Sequence, residues 1–252
     1  MGIASNKYVE SILRLISEED KENMEYFYFE SLTREYKKID SATDITSLLT
    51  PVEISYEEAD ILLNYSGFNY KHINAVLRNT WNYEENGDVS KIDSYRAVAY
   101  RLNEIIQNHP TVLNDNIITY RGVDISYFKE YGIESLDDLK TLEGSYMLDR
   151  GFVSTSIQEE KCFFKKDNDL GLNYNVKIEY MIPQEFGDGM LLGTTTSYSP
   201  NQHEFLINSA NLAKISSVII SDDNTAIVRA SLIPKELYDN YYRNKSNKPE
   251  QK

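Results

Sequence analysis

Three short polar runs carry residue types that can do chemistry: Arg121, then Ser154-Thr155-Ser156, then Gln202 with Glu204. Each lies in or beside a segment with strand character. An arginine suits a diphosphate, because its planar guanidinium makes paired, charge-assisted hydrogen bonds. A carboxylate beside a hydroxyl-bearing ligand suits stabilisation of a sugar cation. Glycosidic cleavage passes through an oxocarbenium-like state, and a carboxylate on the sugar face is what glycoside-cleaving enzymes use. Gln202 and Glu204 are two apart, so on a strand of period two their side chains project to the same side. Taken alone, that pair also fits an ordinary polar approach to a buried strand. Together with Arg121 it points to a dinucleotide whose glycosidic bond is broken.

Other chemistries find little support. The three histidines, His72, His109 and His203, are scattered and lack ligand spacing, so no metal site is expected. Cys162 is the only cysteine, which excludes an internal disulfide, and no Ser-His-Asp or Cys-His motif accompanies it. No glycine-rich phosphate loop and no kinase motif occurs. The net charge is -14 over 252 residues, which argues against nucleic acid or an anionic membrane as partner while leaving room for a local basic pocket. No apolar run reaches the length of a membrane span. The first residues lack the pattern of a secretory signal, and Asn6 breaks a myristoylation motif.

The elements that must position the three runs follow from periodicity. Residues 7–40 are expected to be helical, with Val9, Ile12, Leu13 and Ile16 as one apolar stripe and Ser17 with Asp20 capping a second helix. Residues 40–50 are polar and end in Pro51, which makes them the boundary candidate. Ser55 and Glu58 open a further helix, which Gly67 stops. The next, over residues 70–79, puts Asn74 and Arg78 four apart on one face. Another follows with Ile92, Tyr95, Val98, Leu102, Ile105 and Ile106 in register, closed at His109-Pro110. Strands are then expected at residues 117–121 (stopped by Gly122), 151–156, 175–182 as an amphipathic strand, 190–192, 204–208, 213–220 and 225–233. Helices first and strands afterwards is the α+β pattern. It divides into a helical extension (1–47), a main domain (48–238) and a polar tail (239–252).

The ordered set Tyr120-Arg121-Gly122, Phe152-Val153-Ser154-Thr155-Ser156 and Gln202-His203-Glu204 resembles the bacterial ADP-ribosyltransferase exoenzymes, in the branch with C3-like toxins and the enzymatic components of binary toxins. The run from Tyr70 to Arg78 is similar to the family helix whose Asn and Arg line the NAD pocket. Leu191, Leu192 and the residues up to Glu204 look like its substrate-recognition turn. The likeness covers roughly residues 48–233.

It implies an ADP-ribosyltransferase-like fold: two packed, mainly antiparallel sheets with a helical lobe before them and NAD in the cleft, without a metal. The implied roles are specific. Arg121 holds the NAD phosphates and the nicotinamide-side ribose, and the Gly122 backbone meets the nicotinamide amide. Ser154 orients Glu204, and Thr155 and Ser156 shape the pocket. Glu204 binds the ribose 2′-hydroxyl and stabilises the cation. Asn74 and Arg78 contact ribose and phosphate, Phe163 or Phe164 covers nicotinamide, and Gln202 with Tyr198 recognises the acceptor. In C3-like enzymes an aromatic stands three residues before the Gln, where this chain has Ser199. Lys165 stands where the family often has an Arg.

The implied activity is mono-ADP-ribosylation of a protein side chain, an amide such as Asn, by a toxin or effector. Such a protein is expected to be monomeric, exported or injected, served by a separate translocation component, and active in a target cell's cytoplasm. An NAD glycohydrolase and a non-enzymatic NAD-binding module are the alternatives.

Overall fold

Helix capping is written locally in the N-terminal half. The computed structural model describes residues 6–50, 52–82, 84, 87–162, 164–167, 172–193 and 203–239. Among these, the helices are α1 (Lys7–Leu15), α2 (Glu18–Ser31), α3 (Ala42–Leu48), α4 (Tyr56–Asn64), α5 (Tyr70–Arg78) and α6 (Ile92–Asn108). Asn6 caps α1, and the Ser17 hydroxyl accepts from the Asp20 amide to cap α2. Ser55 and Glu58 form the expected reciprocal box on α4. Residues 40–50, the polar boundary candidate, contain α3, which Ser41 and Asp44 start with a second complete box. Between α4 and α5 the chain makes a π-turn (Tyr65–Asn69) with Gly67 in a non-helical conformation.

The strands are β1 (Leu49–Thr50), β2 (Val112–Leu113), β3 (Ile117–Val123), β4 (Tyr146–Asp149), β5 (Val153–Ser156), β6 (Lys165–Asp167), β7 (Leu172–Tyr174), β8 (Val176–Ile182), β9 (Gly189–Leu191), β10 (Glu204–Ile207), β11 (Asn211–Ser221) and β12 (Thr225–Leu232). Eight of them form one sheet in the order β4-β11-β12-β8-β3-β5-β10-β9. Every neighbouring pair in it is antiparallel except β8 with β12. The two sheets implied by the family resemblance are therefore two halves of one ladder. β3 and β5 meet through a single registered pair, Tyr120 with Ser156.

Each half has its own core. The larger packs Ile117, Ile178, Val228 and Leu212 with Val153, Phe205 and Ile207, and it takes in Val9 and Met24 from the first two helices. The smaller lies under α4, α5 and α6, where Leu62, Ile73 and Leu102 meet Phe152, Met190 and Leu206. β5 and β10 separate them. Glu204 lies opposite Ser156, and Leu206 opposite Ser154, so these four share the face of the smaller core while Val153, Thr155 and Phe205 face the larger one.

Two strand expectations change. β3 runs through Gly122, which pairs with Lys177, and ends only at Val123. β8 is buried on both faces rather than amphipathic. Lys177 and Glu179 are sealed in because they neutralise each other at 3.2 Å, and each has a further partner: Glu159 for Lys177, and Arg229 at 2.8 Å for Glu179. Behind α5, His72 stacks on Tyr95 of α6 at 5.2 Å, and Trp81 closes the cluster 6.0 and 5.8 Å from the two rings.

Candidate active site

Glu204 is the first residue of β10 and is buried. The Ser154 hydroxyl, one strand over and open to solvent, donates to its Oε1 at 2.5 Å. This bond ties the buried carboxylate to the neighbouring strand β5. Thr155 points the other way and donates to the Phe205 carbonyl at 2.8 Å, tying β5 to β10 from the larger core. Ser156 is buried opposite Glu204.

The helical lobe meets this strand pair through Asn74. Its Oδ1 accepts from the Phe152 amide at 2.9 Å, and its Nδ2 donates to the Phe152 carbonyl at 3.3 Å and to the Tyr65 hydroxyl at 3.2 Å. Asn74 is buried, so the amide pins the start of β5 to α5. Gly151 makes this approach sterically feasible. A Cβ there would sit 2.7 Å from Asn74 Oδ1 and 3.0 Å from Arg78 Nε.

Tyr65 packs edge-on against Phe152, with ring centroids 5.3 Å apart. Burial first, and the nearby Glu204 carboxylate second, raise its phenol above the ordinary value, so it stays protonated; Arg78 and Arg121 act in the opposite direction. The Tyr65 hydroxyl is therefore within the field of Glu204, Arg78 and Arg121 together.

The second half of the site is built on Asp149, at the end of β4. Arg78 grips it through Nε and Nη2, both at 2.8 Å. Tyr127 donates its hydroxyl at 2.9 Å and Gly151 its amide at 2.8 Å. Arg121 stands 3.8 Å away and lies 5.4 Å from the centre of the Tyr127 ring. Burial by itself would raise the Asp149 carboxyl; Arg78, then Arg121 and the Gly151 amide, outweigh it and hold the group below its ordinary value. Arg78 is held charged by the same pair, against its own burial. Arg121 Nη1 is buried without a hydrogen-bond partner. The arrangement offers a guanidinium with one nitrogen that makes no hydrogen bond and, through Ser154, an oriented carboxylate. It can hold an anion and stabilise positive charge developing beside it.

A family model described as ADP-ribosyltransferase exoenzyme matches residues 6–235. The chain belongs to the ADP-ribosyltransferase exoenzyme family. Among solved structures, the exoenzyme resembles C3stau2 from S. aureus, determined with NAD, at 18% identity and a TM-score of 0.60 over 80% of this chain and 100% of that one. The Clostridium limosum C3 exoenzyme follows at 20% identity and a TM-score of 0.58, over 79% and 97% of the two chains. Plx2a, an ADP-ribosyltransferase toxin from Paenibacillus larvae, is 22% identical with a TM-score of 0.53, over 85% and 96%. No curated protein matches the chain by sequence. The ADP-ribosyltransferase fold is therefore shown, and membership supports NAD-dependent mono-ADP-ribosylation as the activity in outline.

The exoenzyme's structure brings Asn74, Arg78, Arg121, Ser154 and Glu204 around Tyr65 and Asp149. Gly122 sits beside Arg121 on β3, and Phe164 lies 5.6 Å from the Lys177 ammonium, measured to its ring centroid. Gln202, Tyr198 and Phe163 lie outside the described residues. Among the described residues no group of His, Cys, Asp or Glu could hold a metal. No helix among them is long and apolar enough to cross a membrane.

Sequence reasoning missed Tyr65, Tyr127 and Asp149. Asp149 stands just before Gly151-Phe152, and an acidic residue leading into the serine strand was the available signal. Arg150, next to it, links this region to α1. Its guanidinium lies 3.7 Å over the Tyr8 ring of α1 and donates to the Arg78 carbonyl.

Proposed function

We propose that the chain cleaves the nicotinamide–ribose bond of NAD and passes ADP-ribose to a protein side chain, an amide such as Asn, as a toxin or effector acting on another cell's proteins. The observation that carries this reading is the Ser154–Glu204 hydrogen bond, together with an Arg121 whose Nη1 makes no hydrogen bond. The residues fit NAD. Arg121 Nη1 is ion-paired with Asp149 only at 3.8 Å and makes no hydrogen bond, and a diphosphate oxygen would supply one to this guanidinium. Glu204, buried and held by Ser154, is placed to accept from a ribose hydroxyl and to stabilise the cation as nicotinamide leaves.

Arg121 is the better diphosphate ligand of the two arginines, because Arg78 already spends its Nε and Nη2 on Asp149. Asn74 acts through Phe152 and Tyr65. Gln202 and Tyr198, by the family resemblance, serve the acceptor, and Phe163 or Phe164 covers nicotinamide.

The test is transfer of labelled ADP-ribose from NAD into eukaryotic and bacterial extracts, with nicotinamide release measured in buffer and Glu204→Gln as control. A discrete labelled protein in one extract, absent with the control, is the expected result. Glu204→Gln should fold normally, bind NAD and lose turnover about 100- to 1,000-fold. Release of nicotinamide without a labelled protein would replace the reading by NAD glycohydrolase. Near-normal turnover of Glu204→Gln would remove Glu204 from the site.

A further inference from the structure

His203, just before Glu204, has φ of 46° in the left-handed region. A bulky non-glycine residue is rarely found there, and glycine would adopt it without penalty. Its backbone and side chain both bind one short segment after β5. The His203 carbonyl accepts from the Ile157 amide at 3.1 Å. Its Nδ1 meets Gln158 Oε1 at 2.5 Å. Gln158 is buried, with 5% of its surface exposed, so its side-chain oxygen has little access to solvent and uses the imidazole instead.

We propose that Gln158 and His203 are positioning residues for Glu204: their hydrogen bond holds the left-handed bend that turns the chain onto β10 with the carboxylate facing Ser154. This inference rests on Glu204 being the group that acts on NAD. The geometry explains the need. The pairing of β10 with β5 starts at Glu204 opposite Ser156. On the other side the Glu204 carbonyl accepts from the Leu192 amide at 2.8 Å. A return of His203 to extended backbone would change the direction of entry at the first paired residue. On a period-two strand, a one-residue slip moves a side chain to the opposite face. Here it would move Glu204 from Ser154 toward the larger core.

The contact also sets the tautomer. With the amide oxygen of Gln158 facing the ring, the hydrogen bond has His203 donate, which places the proton on Nδ1. The full chain, labelled with nitrogen-15 at its histidines, tests this by imidazole NMR, with His203→Gly assigning the signal. The Nδ1–H pattern is expected, and Gln158→Leu should abolish it. A wild-type ring protonated on Nε2, unaffected by Gln158→Leu, would overturn the proposal without touching the proposed reaction.

The second readout is nicotinamide release. Gln158→Leu should lower kcat by about two- to tenfold, the range for one net hydrogen bond, at unchanged KM for NAD. Gln158→Glu, which keeps an acceptor oxygen, should recover part of that loss. His203→Gly keeps the bend available but not locked, and should fall between wild type and Gln158→Leu. A parallel loss of kcat, NAD affinity and thermal stability in Gln158→Leu, without rescue by Gln158→Glu, would mean a merely structural contact and overturn the proposal. Turnover that survives Glu204→Gln, with the Nδ1–H signature intact, would instead sink the assignment of Glu204.

Discussion

Two buried carboxylates, Asp188 and Asp149, sit at opposite ends of this molecule's electrostatics. Asp188 is closed on all sides: Lys235 pairs with it at 2.6 Å, and Asn208 and Asn211 each donate at 2.8 Å. Lys235 also donates to the Ser209 carbonyl at 2.8 Å. The cluster ties the residues after β12 to the β10–β11 connection and offers nothing to a ligand. Asp149 is just as buried and also well bonded, yet its cluster contains one more cation than it needs. Arg78 saturates the carboxylate with two hydrogen bonds, and Arg121 is left as a long ion pair, its Nη1 3.8 Å from Asp149 Oδ2 and without a hydrogen bond. A structural charge cluster completes its own hydrogen bonding, whereas a binding one leaves donors for its ligand.

The largest effects should come from breaking either cluster. Lys235→Met strands the Asp188 charge and Asp149→Asn removes the carboxylate facing Arg78. Each should cost about 3–5 kcal/mol of stability, measurable by chemical denaturation. The two should separate in function: Lys235→Met keeps NAD affinity per folded molecule, whereas Asp149→Asn weakens it. Equal NAD affinity in both variants would erase the distinction. Next in size is Arg121→Lys, which should lower kcat/KM by about 10- to 100-fold, as expected for one lost charged hydrogen-bond pattern, with little change in melting temperature.

Gly151→Ala should destabilise by about 1–3 kcal/mol, because the new methyl meets Asn74 and Arg78 in a packed site. The smallest effect is on pH dependence. The folded pKa of Asp149 lies below its unfolded value of about 3.9, so its stabilisation is complete above that value and is lost as pH falls through the lowered one. Melting curves of Asp149→Asn should therefore fall less steeply than wild type below about pH 4.

Local signals in the sequence were readable where chemistry and spacing act over a few residues. The α4 capping box, the helical partnership of Asn74 with Arg78, and the strand order around Arg121, Ser154 and Glu204 are of this kind. The box on α3 was hidden because Ser41 and Asp44 lie in a polar stretch, and composition alone makes such a stretch look like a linker. Lys177 and Glu179 mark the same limit on β8. Alternating charges suggest a solvated face, and only partners distant in the chain, Glu159 and Arg229, allow their burial. Asp149 was missed for a related reason. Its importance comes from bringing β4, β3 and α5 together, and no periodicity encodes that meeting. The left-handed backbone of His203 is only weakly signalled by residue type, since histidine is enriched there but most histidines are not left-handed.

The cluster behind α5 has an optical consequence. Trp81 is the chain's single tryptophan, and it rests against His72 on the helix that also carries Asn74 and Arg78. Its emission therefore comes from one place, with no second indole to dilute it. A dinucleotide that shifts this helix would be read as a change in intrinsic fluorescence, so the protein carries its own unlabelled reporter for titration.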